Sequence, residues 1–149
     1  MKIGQFCDTF LPIVDGGGRV VYSYADTLGK MGHESYVITP MANTGYRGRL
    51  NFEIVDFHGT PLPGMPQYRA GMPLADQHYH ARMKMIDLDL VHIHSPFIAG
   101  QEGLRIAKRR QIPVVATFHS KFYDDFKLIT RSAPLAEAGV KYVVAFFER

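Results

Sequence analysis

Four groups of residues in this chain have the types and spacing of a ligand site. His119 follows the apolar or small residues 114–118, Asp8 follows the apolar start at residues 3–7, and His94, Ser95 and Pro96 follow residues 90–93. Three short, buried-looking strands thus end in polar or ionisable groups. In an open parallel sheet the crevice outside the strand carboxyl ends is where ligands bind, so these ends predict a polar cleft. Close to it stand Gly16, Gly17 and Gly18, between the first strand and the first helix, where backbone N–H groups and the helix dipole favour phosphate or another anion. His119 has the strongest case. Ser120, Lys121, Tyr123, Asp124 and Asp125 follow it and read as a polar loop on the cleft side, and an imidazole there can hydrogen-bond a ligand hydroxyl or exchange a proton. A solvated strand-end histidine is the plain alternative, and the neighbours weigh against it.

Several chemistries fail on spacing. A dinucleotide fingerprint from Gly16 and Gly18 needs a third small residue where Val21 stands, and an acid where the second strand ends in Thr39 and Pro40. A Walker loop needs a lysine and a serine or threonine after the glycines, and none follows. No nucleophile elbow marks a serine hydrolase. His92 and His94 share one strand face, yet no Cys, Asp or Glu lies nearby in sequence to complete a metal shell. Packing and hydrogen bonding are the better reading of that pair, and no metal or cofactor is expected.

The elements that position these groups follow from hydrophobic period. Strand patterns at residues 2–6, 35–39, 51–57, 90–94 and 114–118 alternate mostly with helical ones, which predicts an α/β fold with a mainly parallel sheet. Val20, Val21, Tyr24, Ala25, Leu28 and Met31 form one stripe of a first helix that Gly32 closes. Residues 73–86 predict a second helix with Pro73 in its first turn, and a third is expected after Ser95, with Ser95 as cap and Lys108, Arg109 and Arg110 at its end. Residues 39–51 and 58–73 are rich in glycine and proline and read as long surface loops. The last stretch, 134–149, is apolar on several faces; such a helix wants neighbours on more than one side, and a larger protein cut at this point is the simplest explanation.

With 149 residues, 46% of them hydrophobic, the chain suits one compact domain. Seventeen basic against fourteen acidic residues leave +3, with a pI near 9.0. The excess is spread out, a mild bias toward anionic partners and not toward nucleic acid. Cys7 is the only cysteine, which points to a reducing compartment, and no segment has the roughly 18 apolar residues of a membrane span. A cytoplasmic protein is expected. Arg47, Arg49, Arg69, Arg82 and Lys84 read first as solvated loops and a helix face; peripheral contact with anionic headgroups is the alternative.

The segments GGGRVVYSYADTLGKMGHESYVIT at 16–39, DLVHIHSPF at 89–97 and IPVVATFHSKF at 112–122 closely resemble the N-terminal domain of family 4 glycosyltransferases. The opening KIGQFCDTFLP at 2–12 resembles members that glucosylate diacylglycerol or related lipids. The resemblance implies a GT-B fold, two Rossmann-like domains across a cleft, of which this chain is the acceptor-side one and lacks the domain that holds the nucleotide sugar. It implies sugar transfer with retention from a nucleotide sugar, UDP-glucose being one candidate, to a lipid or other hydroxyl acceptor. Gly16 and Gly17 would approach the donor phosphate and sugar, and His119 would line the reaction centre. Asp8, Phe10, Lys121 and Tyr123 would contact the acceptor. The usual paired glycine falls partly on Asp15, and the two glutamates seven residues apart that members carry on the second domain have no counterpart among Glu34, Glu53, Glu102, Glu137 and Glu148. The chain by itself is therefore expected to be inactive. Two other readings stay open: a non-catalytic module binding a nucleotide or a protein, and a fragment of an epimerase on the same fold.

Overall fold

The computed structural model describes residues 1–11, 15–40, 49–63, 65–119 and 121–149, with the backbone alone for 65–67. Where the sequence suggests one compact body, the contacts divide the chain into two units, Met1–Thr117 and Phe118–Arg149.

The first unit is a five-stranded parallel sheet in the order β3-β2-β1-β6-β7. Its members are β1 (Lys2–Phe6), β2 (Glu34–Thr39), β3 (Glu53–Asp56), β6 (Leu90–Ile93) and β7 (Val114–Ala116). Each expected strand is present: β1 keeps its expected bounds, β2 starts one residue earlier, and β3, β6 and β7 are shorter than expected. The order reverses between β1 and β6, so the switch point lies where Asp8 and Ser95 leave the sheet. Strand side chains alternate between faces. On one face Cys7 and Val37 pack with Val21 and Ala25 of helix α1 (Gly16–Lys30), joined by Phe10 and Phe52. On the other, Phe6 and Val91 meet helix α3 (Ile98–Arg110) so closely that a Cβ at Gly103 would stand 3.0 Å from the Phe6 ring. Gly32, at φ +85°, closes α1 in the left-handed region that glycine tolerates best. This is the expected Rossmann-like architecture, helices on both faces of a parallel sheet.

Three expectations are corrected. The stretch 58–73 is not a loop: β4 (Gly59–Leu62) and β5 (Met65–Gly71) form an antiparallel hairpin whose register shifts at Pro61/Leu62. Pro61 and the flanking glycines hid it, because proline is tolerated in an edge ribbon at a bulge. The helix expected from Pro73 is broken; a 3-10 turn covers Pro73–Ala75, and α2 (Gln77–Lys84) restarts after Asp76. Asp76 is extended and takes the N–H groups of Tyr79 and His58 on its two carboxylate oxygens at 3.0 and 2.8 Å. Finally, β7 is an edge strand with Val114 and Val115 40% and 47% exposed, not a buried one.

The second unit is a helical hairpin of α4 (Phe122–Thr130) and α5 (Ala133–Phe147). Phe118, Phe122, Phe126 and Phe147 form a run of ring contacts at 4.9 to 6.0 Å. The residues after His119 read as a polar loop; of them Lys121 is the N-cap of α4, while Tyr123, Asp124 and Asp125 lie in its first turn. Phe122 and Phe126 at helical spacing, with two carboxylates at the positive helix end, outweigh the polar composition. Ser120 lies outside the described residues.

Candidate functional site

Helix α1 begins at the glycines themselves. Asp15, in extended conformation, is its N-cap, and its Oδ1 accepts the Gly18 N–H at 2.6 Å. Sequence reasoning passed over Asp15, although an aspartate just before a helix is a common cap. Gly18 is buried and takes the Asp15 cap, and among the described residues no acceptor is shown for the N–H groups of Gly16 and Gly17. Neither glycine has a packing reason: a Cβ on Gly16 would meet nothing within 4 Å, and one on Gly17 only Asp15 Oδ1 at 3.7 Å. Neither has a positive φ. Neither the packing nor the backbone of the described residues therefore requires glycine at these two positions.

At the switch point Asp8 joins β1 to α3. Its Oδ2 accepts the Ser95 hydroxyl at 2.5 Å, its Oδ1 accepts the Ala99 N–H at 2.9 Å, and its own N–H donates to Ser95 Oγ at 3.1 Å. Burial raises its pKa above the ordinary carboxylate value, against the opposing pull of the Ser95 and backbone hydrogen bonds. The expectation that Ser95 caps α3 is corrected: Phe97 is the N-cap residue and supplies no side-chain bond. Asp8, 91 residues from Ala99, supplies the acceptor instead. Phe10 is buried at 3% exposure with its ring 6.0 Å from that of Phe52; any part it has in acceptor contact therefore runs through the loop it anchors.

His92 and His94 each have a hydrogen-bonded ring nitrogen, His92 Nε2 to Thr117 Oγ1 at 2.7 Å and His94 Nε2 to Gln5 Oε1 at 2.6 Å. Three residues past the end of β7 comes His119, partly buried, in the second unit with exposed Lys121 and Tyr123. Tyr123 has the Lys127 ammonium 5.7 Å from its ring centroid.

Beside the capped end of α3 opens a cleft of about 540 Å³, walled by Met72, Leu74 and Ile98 and reaching Glu102 and Arg105. Glu102 is 3% exposed. It takes two hydrogen bonds from Arg105, at 2.7 and 2.6 Å, and one from the Tyr79 hydroxyl at 3.0 Å. Burial, then the Glu102 charge, pushes the Tyr79 hydroxyl pKa far up.

The sequence profile of Glycosyltransferase Family 4 matches residues 14–147, nearly the whole chain. The chain belongs to that family. It is 34% identical over 140 residues, 91% of its length, to an alpha-monoglucosyldiacylglycerol synthase of Acholeplasma laidlawii, and 27% identical over 155 aligned positions to one of Streptococcus pneumoniae. A GDP-mannose-dependent alpha-mannosyltransferase of Mycobacterium tuberculosis is 28% identical over 123 residues, 80% of this chain. The chain spans about a third of the length of these curated relatives, 35%, 33% and 32% respectively. As a family member, this chain presents the parallel sheet and the glycine-started helix expected of one half of a GT-B glycosyltransferase.

Proposed function

We propose that this chain is the acceptor-side domain of a retaining, metal-independent glycosyltransferase that moves a sugar from a nucleotide sugar to the hydroxyl of a lipid. A second domain supplies most of the donor site. The observation that carries the reading is the open first turn of α1: two glycines without a packing or backbone reason, with N–H groups turned to no described acceptor. Charge develops on the departing phosphate and on the sugar ring, and backbone donors at a helix N-terminus stabilise it. Asp15, standing where the family has glycine, leaves Gly16 and Gly17 as the pair that meets the donor. His119 stands beside the transferred sugar and hydrogen-bonds one of its hydroxyls. Asp8, the loop anchored by Phe10, Lys121 and Tyr123 contact the acceptor. The apolar wall of Met72, Leu74 and Ile98 suits an acyl chain better than a soluble sugar. UDP-glucose is the first donor to test, because two relatives are named as glucosyldiacylglycerol synthases.

The test is product analysis with the complete gene product, supplied with UDP-glucose or GDP-mannose and with diacylglycerol or a soluble sugar. A glycolipid with an α-anomeric proton signal is expected. An epimerised nucleotide sugar, or no turnover of any donor, overturns the reading.

A further inference from the structure

The cleft beside α3 has a polar side as well as an apolar wall, and every residue that lines it belongs to the first unit. Ile98, Gln101, Glu102 and Arg105 line it at the spacing of one helix face. Its 540 Å³ falls within the range of small-molecule sites, about 300–1,000 Å³. Met72, Leu74 and Ile98 are exposed large apolar side chains, and apolar surface gathered around a cleft marks a binding groove. Only two formal charges stand among the lining residues, Glu102 and Arg105, and they cancel. Arg105 gives Glu102 its Nε–H and one Nη2–H, at 2.7 and 2.6 Å. A guanidinium has five N–H bonds in a fixed fork, so three remain, on a side chain that is 37% exposed. The two bonds to Glu102 pin the guanidinium plane and with it the direction of those three donors. From α2 the Tyr79 hydroxyl holds the same carboxylate at 3.0 Å. The cleft therefore offers oriented hydrogen-bond donors without net charge. A neutral carbonyl oxygen matches them, whereas an anionic carboxylate meets repulsion from Glu102 along with attraction to Arg105.

We propose that Arg105 is a specificity-determining residue of this cleft: its remaining N–H bonds receive the ester carbonyl of an acylglycerol whose acyl chain lies along Met72, Leu74 and Ile98, and Glu102 cancels the charge so that the neutral ester is taken before a fatty-acid anion. This rests on the reading of the cleft as the place of a lipid acceptor's acyl chain, and it names the bond that holds that chain. The test is an NMR titration of the 149-residue chain that follows the Leu74 and Ile98 methyl groups. The probes are monooctanoylglycerol, its ether analogue 1-O-octylglycerol, which lacks the carbonyl, and octanoate, each kept below its aggregation concentration. The ester binds at least about tenfold tighter than the ether, the effect of one hydrogen bond from a charged donor, and octanoate binds more weakly than the ester. Arg105→Met removes the preference for ester over ether. Glu102→Gln keeps an oxygen for the Tyr79 hydroxyl and leaves Arg105 without its counter-charge, so octanoate gains at least about tenfold while the ester changes little. Ester and ether bound alike by the parent chain, an ester preference that survives in Arg105→Met, or no gain for octanoate in Glu102→Gln overturns the inference. Should either variant fail to fold, ester against ether on the parent chain carries the test alone. Sugar transfer by the complete protein to diacylglycerol and to its diether analogue with the same KM overturns the inference and leaves the proposed function standing. An ester preference in the titration without sugar transfer to any lipid overturns the proposed function instead.

Discussion

Gly16 and Gly17 set stability against use at the level of single residues. Alanine fits at either position without a clash and lowers the entropy of the unfolded chain. Gly17→Ala is therefore expected to raise the unfolding free energy of the 149-residue chain by about 0.5–1 kcal/mol. On the proposed function the same change in the complete protein lowers kcat/KM for the donor, since a methyl group would then stand where the donor is proposed to approach. Thermal unfolding and donor kinetics check the two halves; a stabilised variant with full activity removes the glycines from the site. Asp8 gives a pH test. Its folded pKa is raised, so its contribution to stability is present at acid pH and lost as pH rises through the raised value. Asp8→Asn has no such proton to lose, and should gain on the parent between pH 4 and pH 7 in urea midpoints. An equal difference at both pH values would show that the carboxyl titrates alike in folded and unfolded chains.

Among the elements, those with a strong local period were legible and those held by distant partners were not. α1 showed itself through its stripe and Gly32, and β1 appears at its expected bounds, a short segment in which Ile3 and Phe6 are apolar and which gives way to Asp8. The start of α3 could not be read locally, since its cap, Asp8, arrives from another strand. The hairpin β4–β5 was masked by its turn-forming residues, yet it leads into the wall of the cleft beside α3. The Tyr79 hydroxyl ties α2 to Glu102 of α3, which Arg105 of the same helix also holds. Arg105→Met leaves Glu102 buried with only the Tyr79 hydroxyl. A loss of about 3 kcal/mol is expected, the low end for a broken buried pair, because the Arg105 side chain is 37% exposed. Denaturant unfolding measures it. Leu74, 70% exposed, allows a cleaner test of the cleft: Leu74→Asp should fold normally while lowering kcat/KM for a lipid acceptor at least about tenfold, roughly 1.4 kcal/mol, and leaving a soluble acceptor untouched.

For the molecule as a whole, surface charge argues less for membrane contact than the arginine count suggests. Arg69 donates to Gly59 O at 2.9 Å and Arg82 pairs with Glu53 at 2.9 Å; Arg47 lies outside the described residues, and Arg49 and Lys84 are exposed. No described helix is long and apolar enough to cross a membrane. If headgroup attraction holds this protein at a lipid surface, its sedimentation with anionic liposomes falls steeply from low to high salt; sedimentation that ignores lipid charge removes the idea. By itself the sequence determined the α/β class, the five strand positions of the sheet and the family, because each is written in local period and in contiguous motifs. Only the tertiary structure decided that Asp15 closes Gly18 and leaves Gly16 and Gly17 open, that Asp8 caps a helix 91 residues away, and that His92 holds Thr117. The reason is physical: hydrophobic period is a property of neighbours along the chain, whereas a hydrogen bond between strands depends on a register that folding alone sets.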